Sequence, residues 1–190
     1  MNMKITLLFL SALPALLPVR IQAQGTLNDQ QAGPDGSYGE VAFGINALNP
    51  AQAFTPALTA ADFVTLYIYN GTPGITGTLY VNLRQDSVTG AILATSVPIT
   101  LTPQSSGPTE FLFSAPVAVV PGTPYYIEPK IQSGSLSWGI TGSRLFNYPG
   151  GTAYQQGMAA PDIDLWFREG ISIPEPSSIA LLLFPVGCLL

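Results

Sequence analysis

The first groups in this sequence that could do chemistry are two acidic side chains two residues apart, Asp162 and Asp164, and a third carboxylate at Glu128. Paired carboxylates can divide the acid and base roles of glycosidic-bond cleavage. Neighbouring carboxylates can also give oxygens to calcium, which takes six to eight of them. Asp162 and Asp164 are therefore the calcium candidates, although no recognisable motif surrounds them. Other catalytic classes are excluded more firmly. The chain has no histidine, so a Ser-His-Asp site and a histidine-ligated zinc are absent. Its one cysteine, Cys188, lies in an apolar C-terminal run, where it is no plausible nucleophile and can form no intrachain disulfide. The sequence predicts no catalytic residue, and the chain reads as a non-enzyme.

A second set of residues suits binding. Tyr80, Asn82 and Arg84 alternate with Leu79, Val81 and Leu83, and Tyr126 and Glu128 alternate with Tyr125 and Ile127. Asp164, Trp166 and Arg168 alternate with Ile163, Leu165 and Phe167. An aromatic ring offers a sugar a flat apolar face with a wettable edge, and Asp, Asn, Glu and Arg bond its hydroxyls. These eight residues, with Tyr154 and Asp162 from the last loop, are the candidate glycan-binding set. The plainer alternative is that Trp166 and the tyrosines cover strand edges or pack beneath loops. Trp138 shares its face with Leu136 and Ile140 and is expected in the core.

Strands must position these side chains. Alternation with a period of two sends one set to the core and the other outward. It is read at 79–84, 111–113, 125–131, 136–140 and 163–167; 63–70 is a β-branched and aromatic run, 92–95 and 97–101 are further strand-like runs, and Val117–Val120 is another short one. Gly71-Thr72-Pro73-Gly74, Pro103 to Pro108 and Pro121-Gly122 supply turns between them. No helical period stands out between the two ends. Strands at roughly ten-residue spacing with Gly/Pro turns predict an all-β fold, a single antiparallel β-sandwich resembling a jelly roll. Residues 51–171 are expected to form it, after a partly ordered lead-in at 24–50 that holds the turn signal Gly33-Pro34-Asp35-Gly36. The roughly 150 residues between the ends suffice for one domain that buries about two-thirds of its unfolded surface.

Both ends read as addresses. Lys4 precedes an almost wholly apolar run from Ile5 to Val19, and Arg20-Ile21-Gln22-Ala23 offers a small residue for cleavage. That is the pattern of a secretory signal peptide, a signal helix at 1–23; a short membrane anchor is the alternative. Removing Lys4 and Arg20 with it leaves four basic residues against eleven acidic. Without a Lys/Arg cluster there is no electrostatic footprint for phosphates, which excludes nucleic acid as a partner. At the other end, Pro174-Glu175-Pro176-Ser177-Ser178 runs directly into Ile179-Ala180-Leu181-Leu182-Leu183. This resembles the PEP-CTERM sorting signal of secreted bacterial proteins, with Pro174, Glu175 and Pro176 as the sorting motif. The resemblance implies an exosortase-type processing protease as partner and delivery to the cell envelope, outer surface or extracellular matrix. The twelve residues from Ile179 would make about 18 Å of helix, short of a hydrocarbon core of ~30 Å, and no Arg cluster follows them. The expected sorting segment, 172–190, is thus a truncated one.

A second resemblance lies between the two ends. Ala51-Gln52-Ala53-Phe54-Thr55, Gly77-Thr78-Leu79-Tyr80-Val81, Gly90 to Ser96, Pro121 to Tyr126, Tyr148 to Tyr154 and Asp164-Leu165-Trp166-Phe167-Arg168 fall in order. Together they resemble the secreted β-sandwich domains found beside cell-surface anchors, similar in shape to galactose-binding and carbohydrate-binding modules. The expected protein is a secreted, non-catalytic, structural or adhesive one, with binding of an extracellular polysaccharide as the alternative.

Overall fold

The alternation of the sequence becomes two sheets packed face to face. A computed structural model describes residues 23–37, 39–70, 74–103 and 105–174. The expected signal peptide up to Gln22, Glu175 and Pro176 of the sorting motif, and the apolar tail with Cys188 lie outside the described residues. In chain order the elements are β1 (Ala23–Ala32), β2 (Val41–Gly44), α1 (Ile45–Leu48), β3 (Ala51–Phe54), β4 (Ala60–Asn70), β5 (Gly77–Gln85), β6 (Ile92–Thr95) and β7 (Ile99–Leu101). They continue with β8 (Gly107–Ala118), β9 (Tyr125–Gly134), β10 (Trp138–Ser143), β11 (Ala153–Gln155), β12 (Met158–Ala160), β13 (Asp164–Leu165) and β14 (Phe167–Pro174). No helix among the described residues is long and apolar enough to cross a membrane.

Sheet A follows the path β1-β14-β4-β10-β13, with β2 on β10 and β8 on β4. Sheet B follows β12-β11-β3-β9-β5-β6, with β7 also on β5. The registers are antiparallel, with Asn82 opposite both Glu128 and Thr95 in sheet B and Leu66 opposite Phe167 in sheet A. Inward side chains of both sheets form one core. Phe43, Val64, Leu66, Ile68, Phe111, Trp138, Ile140, Leu165 and Phe167 come from sheet A, and Phe54, Leu79, Val81, Leu83, Tyr125 and Ile127 from sheet B. Burial on this scale, about 25 cal/mol per Å² of apolar surface, drives the two sheets together.

Three expectations change. Residues 24–50 are more than a partly ordered lead-in: they hold β1, β2 and α1, and the compact body runs from Ala23 to Ile173. Val117 is no separate strand, because β8 bends at a register shift between Ala61 and Phe63 of its partner and continues to Ala118. Leu136, expected beside Trp138 in the core, is 61% exposed in the turn before β10.

Sheet A forks at Trp166. β4 pairs with β10 at 68–70 and with β14 at 63–66, while β10 turns to β13 at 142–143. Trp166 sits at the apex, donating its N–H to Thr141 O (2.9 Å) and accepting at its carbonyl from Tyr67 N (3.4 Å). The wedge is tied to sheet B by one buried side chain. Gln52 of β3 points inward, donates from Nε2 to Asp164 Oδ1 (3.0 Å) and accepts at Oε1 from Leu165 N (2.7 Å).

Candidate functional site

Six of the ten candidate residues share the outer face of sheet B. The register that puts Asn82 opposite Glu128 puts Tyr80 opposite Lys130 and Arg84 opposite Tyr126. Tyr154 of β11 lies opposite Ala51 of β3. The small side chains of Ala51 and Ala53 let the Tyr126 and Tyr154 rings meet edge to face above them, 5.6 Å apart. A row of outward residues therefore crosses the strands, from Tyr154 through Ala51, Glu128 and Asn82 to Thr95. At ~4.8 Å per strand it spans about 19 Å.

A bonded carboxylate anchors the row. Glu128 Oε2 accepts from Asn82 Nδ2 (3.1 Å) and Arg84 Nε (2.9 Å), and Glu128 Oε1 lies 2.8 Å from Lys130 Nζ. Thr95 Oγ1 donates to Asn82 Oδ1 (2.8 Å), and Arg84 Nη1 to Gly90 O (2.6 Å). Burial alone would raise the Glu128 pKa, but hydrogen bonds from Lys130, Asn82 and Arg84 hold it below the ordinary carboxylate value. Such a group keeps its charge and has no proton to give, so it is unsuited to act as a general acid. Burial, then the Tyr154 hydroxyl, then the Asp86 charge push the Tyr126 phenol up; it stays a neutral donor.

Two hollows flank this row. One, of about 380 Å³, is lined by Tyr80, Asn82, Ile92, Thr95, Pro98 and Gln132. The other, of about 310 Å³, has Ala51, Glu128 and Lys130 as its floor, Val88 and Thr89 on one wall, and Asn49 and Gln156 on the other. Asn49 (φ 40°) and Gln156 (φ 50°) both hold left-handed backbone, a conformation that costs energy in non-glycine residues and concentrates at functional sites. Gln156 N donates to Leu48 O (2.7 Å) and Lys130 Nζ to Asn49 Oδ1 (3.4 Å), which fixes that wall.

The other four candidates lie elsewhere. Trp166 and Arg168 point outward from sheet A as alternation requires, but the segment before β2 covers them. Trp166 is fully buried. Its Nε1 donates to Pro34 O (3.3 Å), Tyr67 meets it edge-on at 6.0 Å, and the Arg168 guanidinium lies 4.9 Å above its ring. Arg168 in turn pairs with Asp35. Gly33 (φ +87°) makes this cover possible, since a Cβ there would come within 2.3 Å of Trp166 Cδ1. Trp166 is therefore no open stacking platform; it packs beneath a loop.

Asp164 is also withdrawn from ligand duty. Its Oδ1 accepts from Gln52 and its Oδ2 from Tyr148 N (3.0 Å), and burial raises its pKa. Asp162 is exposed and lines, with Asp164, Arg144 and Asn147, a third hollow of about 300 Å³. With both Asp164 oxygens taken by protein donors, the pair does not make a calcium cage. No three acidic, Cys or His groups meet among the described residues.

Sequence reasoning passed over Lys130, Thr95 and Gln132. The alternation that selected Tyr126 and Glu128 extends to Lys130 and Gln132 on the same strand, so those two were within reach of the same signal. Thr95 carries no such mark; only the β5–β6 register places it on Asn82. Compared with known proteins, the chain matches no family model, and no curated protein matches it.

Proposed function

We propose that this chain is an exported, non-catalytic protein of the cell envelope or extracellular matrix, with a structural and adhesive role. The observation that carries the non-catalytic part is the state of Glu128. The carboxylate at the centre of the outer face of sheet B is buried and fully engaged by Asn82, Arg84 and Lys130, so it serves to build that face and is not poised to give a proton. Export rests on the leader at 1–23 and on the Pro174-Glu175-Pro176 motif, which an exosortase-type protease would process. The body begins at Ala23 and ends at Ile173, which leaves both expected cleavage regions at its margins. Expression of the full chain in a bacterium tests this: the mature protein should leave the cytoplasm and begin at Gln24. Retention of Met1 in a cytosolic product would refute it.

A second reading is favoured by the outer face of sheet B, namely that adhesion works through a glycan. Tyr80 and the Tyr126–Tyr154 pair supply apolar ring faces, and Gln132 and Lys130 supply bonding groups beside the two hollows. Affinity electrophoresis in gels of several polysaccharides should retard the wild type, and Tyr80→Ala or Tyr126→Ala should release it. Equal mobility of wild type and variants in every gel would remove the glycan while leaving the structural role.

A further inference from the structure

Strand β1 joins the sandwich without the apolar burial that holds the others. Residues 25–28 are exposed, Leu27 among them, and Ala32 is the apolar side chain of this strand that enters the core. Its attachment is polar. Asp29 Oδ2 accepts from Ala57 N (2.8 Å) and Leu58 N (2.9 Å), and Gln30 Oε1 accepts from Tyr148 OH (3.0 Å). Beside Asp29 stands Glu169 of β14, fully buried; the backbone N–H of Gln30 leans toward its carboxylate, but no N–H or O–H makes a well-formed hydrogen bond to either oxygen. A buried charge without such donors is costly. Burial and the neighbouring Asp29 carboxyl accordingly push Glu169 up to about 8, against the downward pull of the Gln30 N–H.

Among the described residues no Lys or Arg compensates Glu169. From the 144–152 segment comes Tyr148, itself pushed up to about 12 by burial and hence neutral, with Asp164 beyond it. β4 contributes Asp62, whose carboxylate is bonded to Ser172 N and Oγ further along β14. Arg168, next in the chain, turns to the opposite face and pairs with Asp35. Two carboxyls facing each other in this way can coexist if one proton lies between them.

We propose that Asp29 and Glu169 share a proton, and that this hydrogen bond is a pH-sensitive fastener that holds β1 against β14. In acid the strap is closed. When Glu169 loses its proton, two carboxylates oppose each other across the β1–β14 seam, and β1 lacks the apolar burial to resist. The sign follows from linkage. The docked state binds the proton more tightly than the released state, so release becomes easier as pH rises from the ordinary Glu value toward 8, and levels off above it. Each pH unit in that window changes the opening equilibrium by up to about tenfold. Local opening of one poorly buried strand is the least costly response available to the fold.

Amide hydrogen exchange on the full chain between pH 5 and pH 8, corrected for the intrinsic pH dependence of exchange, tests the fastener. Protection of β1 amides should fall by up to about tenfold per pH unit, while those of β5 and β9 hold steady. Glu169→Gln cannot titrate, and its β1 protection should be flat with pH. Asp29→Asn removes the opposing carboxyl and should flatten the slope in part, which keeps the test decisive if Glu169→Gln does not fold. A flat wild-type profile, or a wild-type slope that survives unchanged in either variant, overturns the proposal.

Discussion

Gln52 is where the two sheets are most directly linked by hydrogen bonds, and its replacement gives a sharp test of how the fold is held. Its amide makes three bonds while fully buried, to Asp164 Oδ1, Leu165 N and Ala53 O. Gln52→Leu keeps much of the volume, strands the Leu165 N–H and one oxygen of Asp164, and takes a donor from the Ala53 carbonyl. Each buried polar group left unpaired costs about 1–3 kcal/mol, so the loss should fall at about 2–6 kcal/mol. For a body of this size that is a fall in Tm of roughly 5–20 °C. Gln52→Glu is the informative companion. Its Oε1 can still accept from Leu165 N, but its second oxygen would face Asp164 Oδ1, now 3.0 Å from the Gln52 nitrogen. Two carboxylates at that distance need a shared proton, so this variant should weaken further as pH rises. Urea unfolding followed by the buried Trp138 and Trp166 measures both variants. Gln52→Leu within about 0.5 kcal/mol of wild type would refute the reasoning, and so would a Gln52→Glu stability no more pH-dependent than wild type.

Further tests address other parts of the molecule. The folded pKa of Glu128 lies below its ordinary value, so its stabilising contribution is complete above the unfolded value. It is lost as pH falls through the folded one; Glu128→Gln should flatten the acid limb of the urea midpoint against pH. Gly77→Ala would place a Cβ 2.0 Å from Trp138 Nε1, and overpacking should cost about 1–3 kcal/mol in denaturant unfolding. Trp166→Ala should cost about 3–5 kcal/mol yet leave any retardation by polysaccharide gels unchanged, because the ring is buried on sheet A, away from the open face of sheet B. Acrylamide should quench native tryptophan emission poorly, both rings being buried.

Much of the strand layout was legible in the residues. Leu79, Val81 and Leu83 against Tyr80, Asn82 and Arg84 fix which side of β5 enters the core, because alternation is a local property with a period of two. The same rule sent Trp166 and Arg168 outward correctly. It could not tell that Gly33-Pro34-Asp35 would lie over them. Residues 24–50 read as only partly ordered because β1 carries so few apolar residues; its attachment rests on Asp29, Gln30 and the turn at Gly33, which leave no hydrophobic pattern to read. Nor could the spacing of Asp162 and Asp164 reveal that Gln52, more than a hundred residues earlier, would occupy an oxygen of the second.

By itself, the sequence determined the all-strand character of the body and which side chains face outward from β5 and β9, though not that Asp164 would be buried against Gln52. It also ruled out histidine chemistry. The tertiary structure alone decided which outward faces stay open. On sheet B, Tyr80, Tyr126, Lys130 and Tyr154 keep part of their surface in water while Asn82 and Glu128 among them are buried; on sheet A the cover over Trp166 comes from the start of the body. Side-chain direction depends on adjacent residues, but exposure depends on what the rest of the chain places on top.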